Sequence, residues 1–322
     1  MTLRLYLSNH ILELILLLLC IVLAVIAPGF FTTENVLNVL RNVSMQGIIA
    51  FGMTMVIIAG EIDLSVGSAV AFAGCIMAFS VERLSGAAIG LPYELSVPVA
   101  ILLTLLLGFS LGLFTGMMRT RYSVPSFITT LALMTGLSGA AELITNGFPI
   151  TSFPPWYNFI GGGYLAGIPF PAIIFLITFA VIQFLMNFTP FGRSIYAVGG
   201  NAEAARLSGI NVRRVKTLVL GLTSFLAALS GVMQSSEIMS GTHTTAKGWE
   251  LDVIAAVIIG GTSLSGGSGK IWGTMVGIIF LGVIINGMTL MNVSEYWQHV
   301  VRGALILIAV LLNRIQKSRV ES

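Results

Sequence analysis

Charge is what this sequence has least of. Acidic and basic residues make up 9% of its 322 positions, whereas a soluble domain carries about 25% to cover its surface, so a free-standing soluble fold is excluded. Cysteine is almost absent as well. Cys20 and Cys75 both lie in apolar stretches, which leaves neither a disulfide framework nor a cysteine-based metal centre. His10, His243 and His299 are far apart and have no ligand-like partners at metal spacing, so no metal site is expected. No G-x-S-x-G elbow with a matching His and Asp appears, which removes the usual support for acyl transfer. The stretch "GGSGKIW" (266–272) carries the Gly-Lys of a phosphate-binding loop, but that loop requires Gly where Leu264 stands and Ser or Thr where Ile271 stands. The chain is therefore expected to bind no ATP itself, to hold no cofactor and to catalyse no reaction.

Apolar residues dominate, at 56% of the chain. A bilayer core of roughly 30 Å needs about 20 apolar residues per crossing, and ten candidate spans follow: Ile11 to Ala27, then 43–60, 64–80, 97–118, 124–143, 170–188, 217–236, 251–265, 271–290 and 296–312. The expectation is an all-α polytopic membrane protein with a single integral domain over residues 1–322, its first apolar run retained as a helix. Placing both termini in the cytoplasm puts Arg4, Arg119, Arg121, Arg193, Arg206, Arg213, Arg214, Lys216, Arg314, Lys317 and Arg319 inside, as the positive-inside bias requires. Residues 146–169 then form the longest external loop. Only Arg41, Arg83, Lys247 and Arg302 fall near external ends, against the orientation bias, with lipid contact or local pairing as one account of them.

Internal similarity points to two related halves. "VIIAGEIDLSVGS" (56–68) lies beside "VIIGGTSLSGGS" (257–268), and "LGLFTGMM" (111–118) beside "LGVIINGM" (281–288). The second pair falls on oppositely running helices, which implies inverted repeats; chance matching among common residues is the alternative. The Gly/Ser-rich stretches predict broken helices, tolerable in a membrane only against protein or along a watery path. Glu61, Asp63 and Ser65 at one break, Ser263 and Ser265 at the other, and Asn286 are the candidates for a translocation path. A solvated turn is the alternative for Glu61 and Asp63.

"FGRSIYAVGGNAEAARLSGINVRRVK" (191–216) is polar and basic. Within this loop, taken as 189–216, a short helix is expected to start at Asn201 as N-cap, with Glu203 near its positive end, and to stop at Gly209. Ala204, Ala205 and Leu207 give it a small apolar face ringed by Arg206, Arg213, Arg214 and Lys216. It reads as a docking helix for a soluble partner, a lipid-surface helix being the alternative.

The motifs "GMTMVIIAGEIDLSVGS", "FGRSIYAVGGNAEAARLSGINV" and "ELDVIAAVIIGGTSLSGGSGKIWGT", in this order over nearly the whole chain, resemble permease subunits of bacterial ATP-binding-cassette importers for ribose and related sugars. The resemblance implies a ten-helix permease in the bacterial inner membrane. Its implied partners are a second permease subunit, homologous or identical, two ATPase subunits that bind ATP and Mg, and a periplasmic or surface binding protein; nucleic acid has no place. It also implies that Gly199, Gly200, Asn201, Ala204, Ala205, Ser208, Gly209 and Ile210 form the cytoplasmic coupling helix, and that Arg83 and Lys247 are candidates for docking acidic residues of the binding protein. The family commonly has Gly where Glu61 stands, so this break is more polar than usual. An ion-gradient-driven secondary transporter is the rival class, since it too uses broken helices. The solute within the sugar class is not set by these motifs.

Overall fold

The computed structural model describes residues 10–321. Arg4 and the side chains of Arg314, Lys317 and Arg319 lie outside what it describes. In chain order the helices are α1 (Ile11–Ile26), α2 (Thr33–Ile58), α3 (Val66–Ser85), α4 (Tyr93–Arg121), α5 (Ser126–Thr145), α6 (Phe159–Gly162), α7 (Phe170–Phe188), α8 (Pro190–Gly200), α9 (Ala202–Leu207), α10 (Val212–Glu237), α11 (Trp249–Ile259), α12 (Ile271–Leu290) and α13 (Glu295–Glu321). A small hairpin, β1 (Tyr164–Leu165) with β2 (Ile168–Pro169), is the only sheet among the described residues. Among the described residues seven helices, α2, α3, α4, α5, α7, α10 and α12, are long and apolar enough to cross a bilayer. The chain is thus an all-α, multi-pass membrane protein.

Helix α2 and helix α10 form the centre and run antiparallel. The C-terminal end of α2 leads into Glu61, which meets Lys216 near the start of α10, while Ser230 further along α10 donates to the Met45 carbonyl earlier in α2 at 2.9 Å. Against α10 lies α4, whose glycines recur every fourth residue. A Cβ added at Gly108, Gly112 or Gly116 would come within 2.4 Å of Ala228 Cβ, 2.3 Å of the Leu220 carbonyl oxygen or 2.5 Å of Thr217 Cα. Lipid gives no hydrophobic drive for helices to associate, so this close backbone approach is the source of their packing energy. Gly112→Val is expected to destabilise the protein by about 1–3 kcal/mol through overpacking. Gly136→Ala on α5, where nothing lies within 4 Å, should cost nothing, and thermal unfolding in detergent compares the two.

Two breaks interrupt the bundle. At the end of α2 the N–H groups of Ala59, Gly60 and Glu61 donate to the carbonyls of Met55, Ile57 and Val56; at the end of α11 those of Gly260, Gly261 and Thr262 donate to Ala256, Ile258 and Val257. The pattern is the same residue for residue, and it needs the left-handed backbone that Gly60 (φ 75°) and Gly261 (φ 85°) adopt. After the first break the freed Ile62 and Leu64 N–H groups donate to Ser126 Oγ and Thr130 Oγ1 of α5, at 3.2 and 3.1 Å, so side chains of a neighbouring helix take up these two backbone donors.

The expected span over 251–265 is corrected. Helix α11 has 11 residues, about 16 Å, half of a bilayer core, because Gly260 and Gly261 end it. Ahead of it, residues 238–248 run into the bundle without helix. Gly241 sits against Ala78 near the end of α3, whereas the Ala246 carbonyl sits against Gly67 at its start.

The repeat also needs correcting. The contacts of Gly273 and Gly277 with Gly260 and Ala256 make α11 antiparallel to α12, and those of Gly282 and Thr274 with Val43 and Thr54 make α12 antiparallel to α2. The Val-Ile-Ile pair therefore lies on helices that run the same way, and it repeats a helix-ending device rather than a position in two halves. The pair on α4 and α12 does run in opposite directions. It agrees with an inverted matching of α2–α5 to α10–α13, in which the two central helices are 26 residues each.

Candidate functional site

One end of the bundle carries Arg119, Arg121, Arg193, Arg206, Arg213, Arg214 and Lys216, and Lys270 joins them as the residue before α12. Two short helices, α8 and α9, lie at this basic end. Thr189 caps α8 by accepting from Gly192 N at 3.1 Å. Asn201 caps α9, its Oδ1 accepting from the N–H groups of Glu203 and Ala204 at 3.0 and 2.9 Å. Gly209 (φ 84°) closes it, with Ile210 N–H bonded back to the Ala205 carbonyl at 3.0 Å.

Helix α9 has two faces. Ala205 is turned inward, 5% exposed, whereas Gly200, Asn201, Ala204, Ser208 and Gly209 are exposed and Ile210 is half-buried. Leu207 is 74% exposed although apolar. Glu203 and Arg206 pair at 2.6 Å on the open face, and the Arg206 hydrogen bond and charge hold the Glu203 carboxyl below the usual carboxylate range. Of the two alanines assigned to a partner's cleft, only Ala204 faces outward; Ala205 belongs to the chain's own core.

Where α8 ends, three backbones meet. A Cβ on Gly199 would lie 1.6 Å from the Ile58 carbonyl oxygen and 2.7 Å from Gly267 N. Gly267 N–H donates to that same Ile58 carbonyl at 2.9 Å, and Tyr196 Oη donates to the Gly269 carbonyl at 3.0 Å. The end of α8 is thereby locked to the last turn of α2 and to the loop between α11 and α12, which is to say to both breaks.

Glu61 tightens the same junction. It is 5% exposed, and its carboxylate accepts from Arg119 Nε at 2.8 and 3.0 Å and from Lys216 Nζ at 2.5 Å. One residue of the break thus holds the end of α4 and the start of α10. Asp63, fully buried, instead bonds within the turn ahead of α3: its Oδ1 accepts from Ser65 N at 2.8 Å and Ser65 Oγ at 2.6 Å, and its Oδ2 has no partner. Ser263 and Ser265 share a turn beside this junction, Ser265 N donating to Ser263 Oγ at 3.3 Å. Asn286 is elsewhere. It exchanges hydrogen bonds of 2.9 and 2.7 Å with Asn35 near the other end of α2, so the six path candidates do not form one site.

The two docking candidates also part company. Arg83 is exposed in the last turn of α3, its guanidinium 5.2 Å from the centre of the Phe79 ring. Lys247 follows Ala246, whose carbonyl touches Gly67, roughly 24 Å away along α3 at 1.5 Å per residue. Lys247 is therefore not on the face that carries Arg83. Arg302 is corrected too: rather than reaching out of the membrane, it pairs with Asp252 at 3.1 Å, and Gln46 Nε2 donates to the same carboxylate oxygen at 3.5 Å. This ion pair was missed in the sequence because its two members are brought together only by the packing of α13 on α11.

The comparisons with known proteins agree with this architecture. Residues 35–310 match the family model described as branched-chain amino acid transport system / permease component. The chain is 43% identical to the ribose import permease protein RbsC of Bacillus subtilis, covering 93% of this chain and 90% of that protein. It is 34% identical to the L-arabinose ABC transporter permease protein AraH of Azospirillum brasilense (95% and 87% covered) and 33% to the xylose transport system permease protein XylH of Escherichia coli (90% and 87%). No solved structure matches. With a model match over most of its length and relatives of this identity and coverage, the chain belongs to the transport-system permease-component family, in its ribose-type ABC branch.

Proposed function

We propose that this chain is the membrane subunit of an ATP-driven importer that carries a monosaccharide or sugar-like solute into a bacterial cell. Three relatives named for ribose, arabinose and xylose transport support the sugar class. The basic end is cytoplasmic under the positive-inside bias, which puts both termini inside and the membrane at the cell's inner one. Helix α9 docks a separate ATPase that binds ATP and Mg. A binding protein delivers solute at the opposite end, and a second permease subunit completes the route.

The observation that carries this reading is the joint at Gly199. An exposed helix with an outward apolar residue, Leu207, is fixed through α8 to the ends of both broken helices, so a push on α9 moves both breaks together. That is what a permease needs: two packings of similar energy whose balance a partner shifts. The ion-gradient reading fares worse. Glu61 is held by two cations, which leaves it unable to act as a mobile relay.

Ala204→Trp tests the docking. Because Ala204 is exposed, the protein should insert and fold normally while transport and stimulated ATP hydrolysis fall at least about tenfold, a binding loss of order 1.4 kcal/mol. Undiminished transport by that variant would remove α9 from the coupling surface. Ala205→Trp is a poor test, since it would disturb the core first.

A further inference from the structure

The half of α2 away from the basic end carries a polar residue at every fourth position: Glu34, Asn38, Asn42 and Gln46. In a helix that spacing places them on one face. Glu34, Asn38 and Asn42 are exposed, in the part of α2 that precedes its buried stretch, and Gln46 is half-buried within that stretch, which begins at Val43. Gln46 stands about 18 Å from the end of the helix at Ile58, counting 1.5 Å per residue, and thus near mid-membrane. Amides there are costly against lipid chains, so such a face turns to water or to protein.

The two ends of this face are built. At its mouth a cavity of about 440 Å³ is lined by Glu34, Asn35, Asn38, Arg41 and Tyr164, within the size range of small-molecule sites; Arg41 donates to Tyr164 Oη. At its floor Gln46 meets Asp252, which pairs with Arg302, and Arg302 Nε is buried without a partner. The charges at the floor cancel. What remains along the face is a row of groups that donate and accept at once, which suits the hydroxyls of a neutral solute and suits neither an ion nor a branched apolar side chain.

We propose that the Asn38–Asn42–Gln46 face, ending on the Asp252–Arg302 pair, lines a watery passage and is a transient binding site for a neutral polyhydroxylated solute. The solute class rests on the sugar-import reading; the passage does not. The test uses the whole importer in vesicles, with Cys20 and Cys75 replaced and single cysteines at positions 38, 42, 46 and, as a control on the opposite, apolar side of α2, 36. An impermeant charged thiol reagent added from the side of the binding protein should modify Asn38→Cys, Asn42→Cys and Gln46→Cys at least about ten times faster than Val36→Cys. Asn42→Leu should lower ribose uptake about tenfold, the worth of one good hydrogen bond, with ATPase association unchanged and Asn42→Gln restoring uptake. Control-like labelling at 42 and 46 would show that the face is closed against lipid or a second subunit and would overturn the passage. Ribose uptake by Asn42→Leu equal to that of the unsubstituted importer would overturn the binding site. If the positions label but the unsubstituted importer takes up neither ribose, arabinose nor xylose, the sugar reading and its solute class fall while the passage stands.

Discussion

Alanine at position 199 is expected to abolish transport, whereas alanine at position 200 is expected to leave it nearly intact. The two glycines are neighbours, but a Cβ at 199 would sit 1.6 Å from the Ile58 carbonyl oxygen, and one at 200 meets nothing within 4 Å. No rotamer relieves the first clash, because Cβ has no torsion of its own and the obstacle is main chain. Helix α8 must therefore lift away from α2. Lifting removes the contact through which α9 acts on the breaks, and it strains the Gly267–Ile58 hydrogen bond beside it. Strain of this kind costs of order 1–3 kcal/mol or more, concentrated at the one joint that the proposed mechanism needs. In reconstituted importer, Gly199→Ala should keep its membrane insertion and show ATP hydrolysis that no longer responds to solute-loaded binding protein. If solute-stimulated hydrolysis and uptake were both unchanged, the three-backbone joint would not be the route from docking helix to gate.

This joint was only half visible in the sequence. The caps of α9 were legible because capping chemistry is local: Asn201 and Gly209 act on residues within five positions. The glycines that end α2 and α11 were legible for the same reason. Nothing local says that Gly199 must face Ile58, which is brought there by tertiary packing alone. The partners of Glu61 are 58 and 155 residues away, so Arg119 and Lys216 read as loop charges and Glu61 as an isolated carboxylate. The polar face of α2 was hidden by a boundary. With the span begun at 43, Asn38 and Asn42 looked like loop residues, although the helix begins at Thr33 under a Thr32 cap. Lys247 was placed on the wrong face for a related reason: the helix after it is half a span, and a full one had been counted.

Glu61→Gln is expected to be among the most damaging single changes in the chain. The carboxylate offsets two cations, and its removal leaves Lys216, whose side chain is 11% exposed, beside Arg119, which is 33% exposed. Removing one member of a buried ionic cluster costs about 3–5 kcal/mol; the lower end applies, because Arg119 retains some contact with solvent. A loss near 3 kcal/mol is more than a hundredfold in the folded ratio, and it should appear as a lowered unfolding temperature in detergent and a smaller inserted fraction. Much of that cost is the unpaired charge rather than the lost bond, so removing all three charges should recover it. The triple change Glu61→Met, Arg119→Met and Lys216→Met is expected to regain most of the stability. Transport should not recover with it. The carboxylate is the one group that ties the break to both α4 and α10, and methionines would pack there without fixing the register of the three segments. A stable, inserted triple variant that transports normally would mean that the cluster serves only to neutralise its own charges, and Glu61→Gln as stable as the unsubstituted protein would mean that the cluster is not closed in the membrane at all.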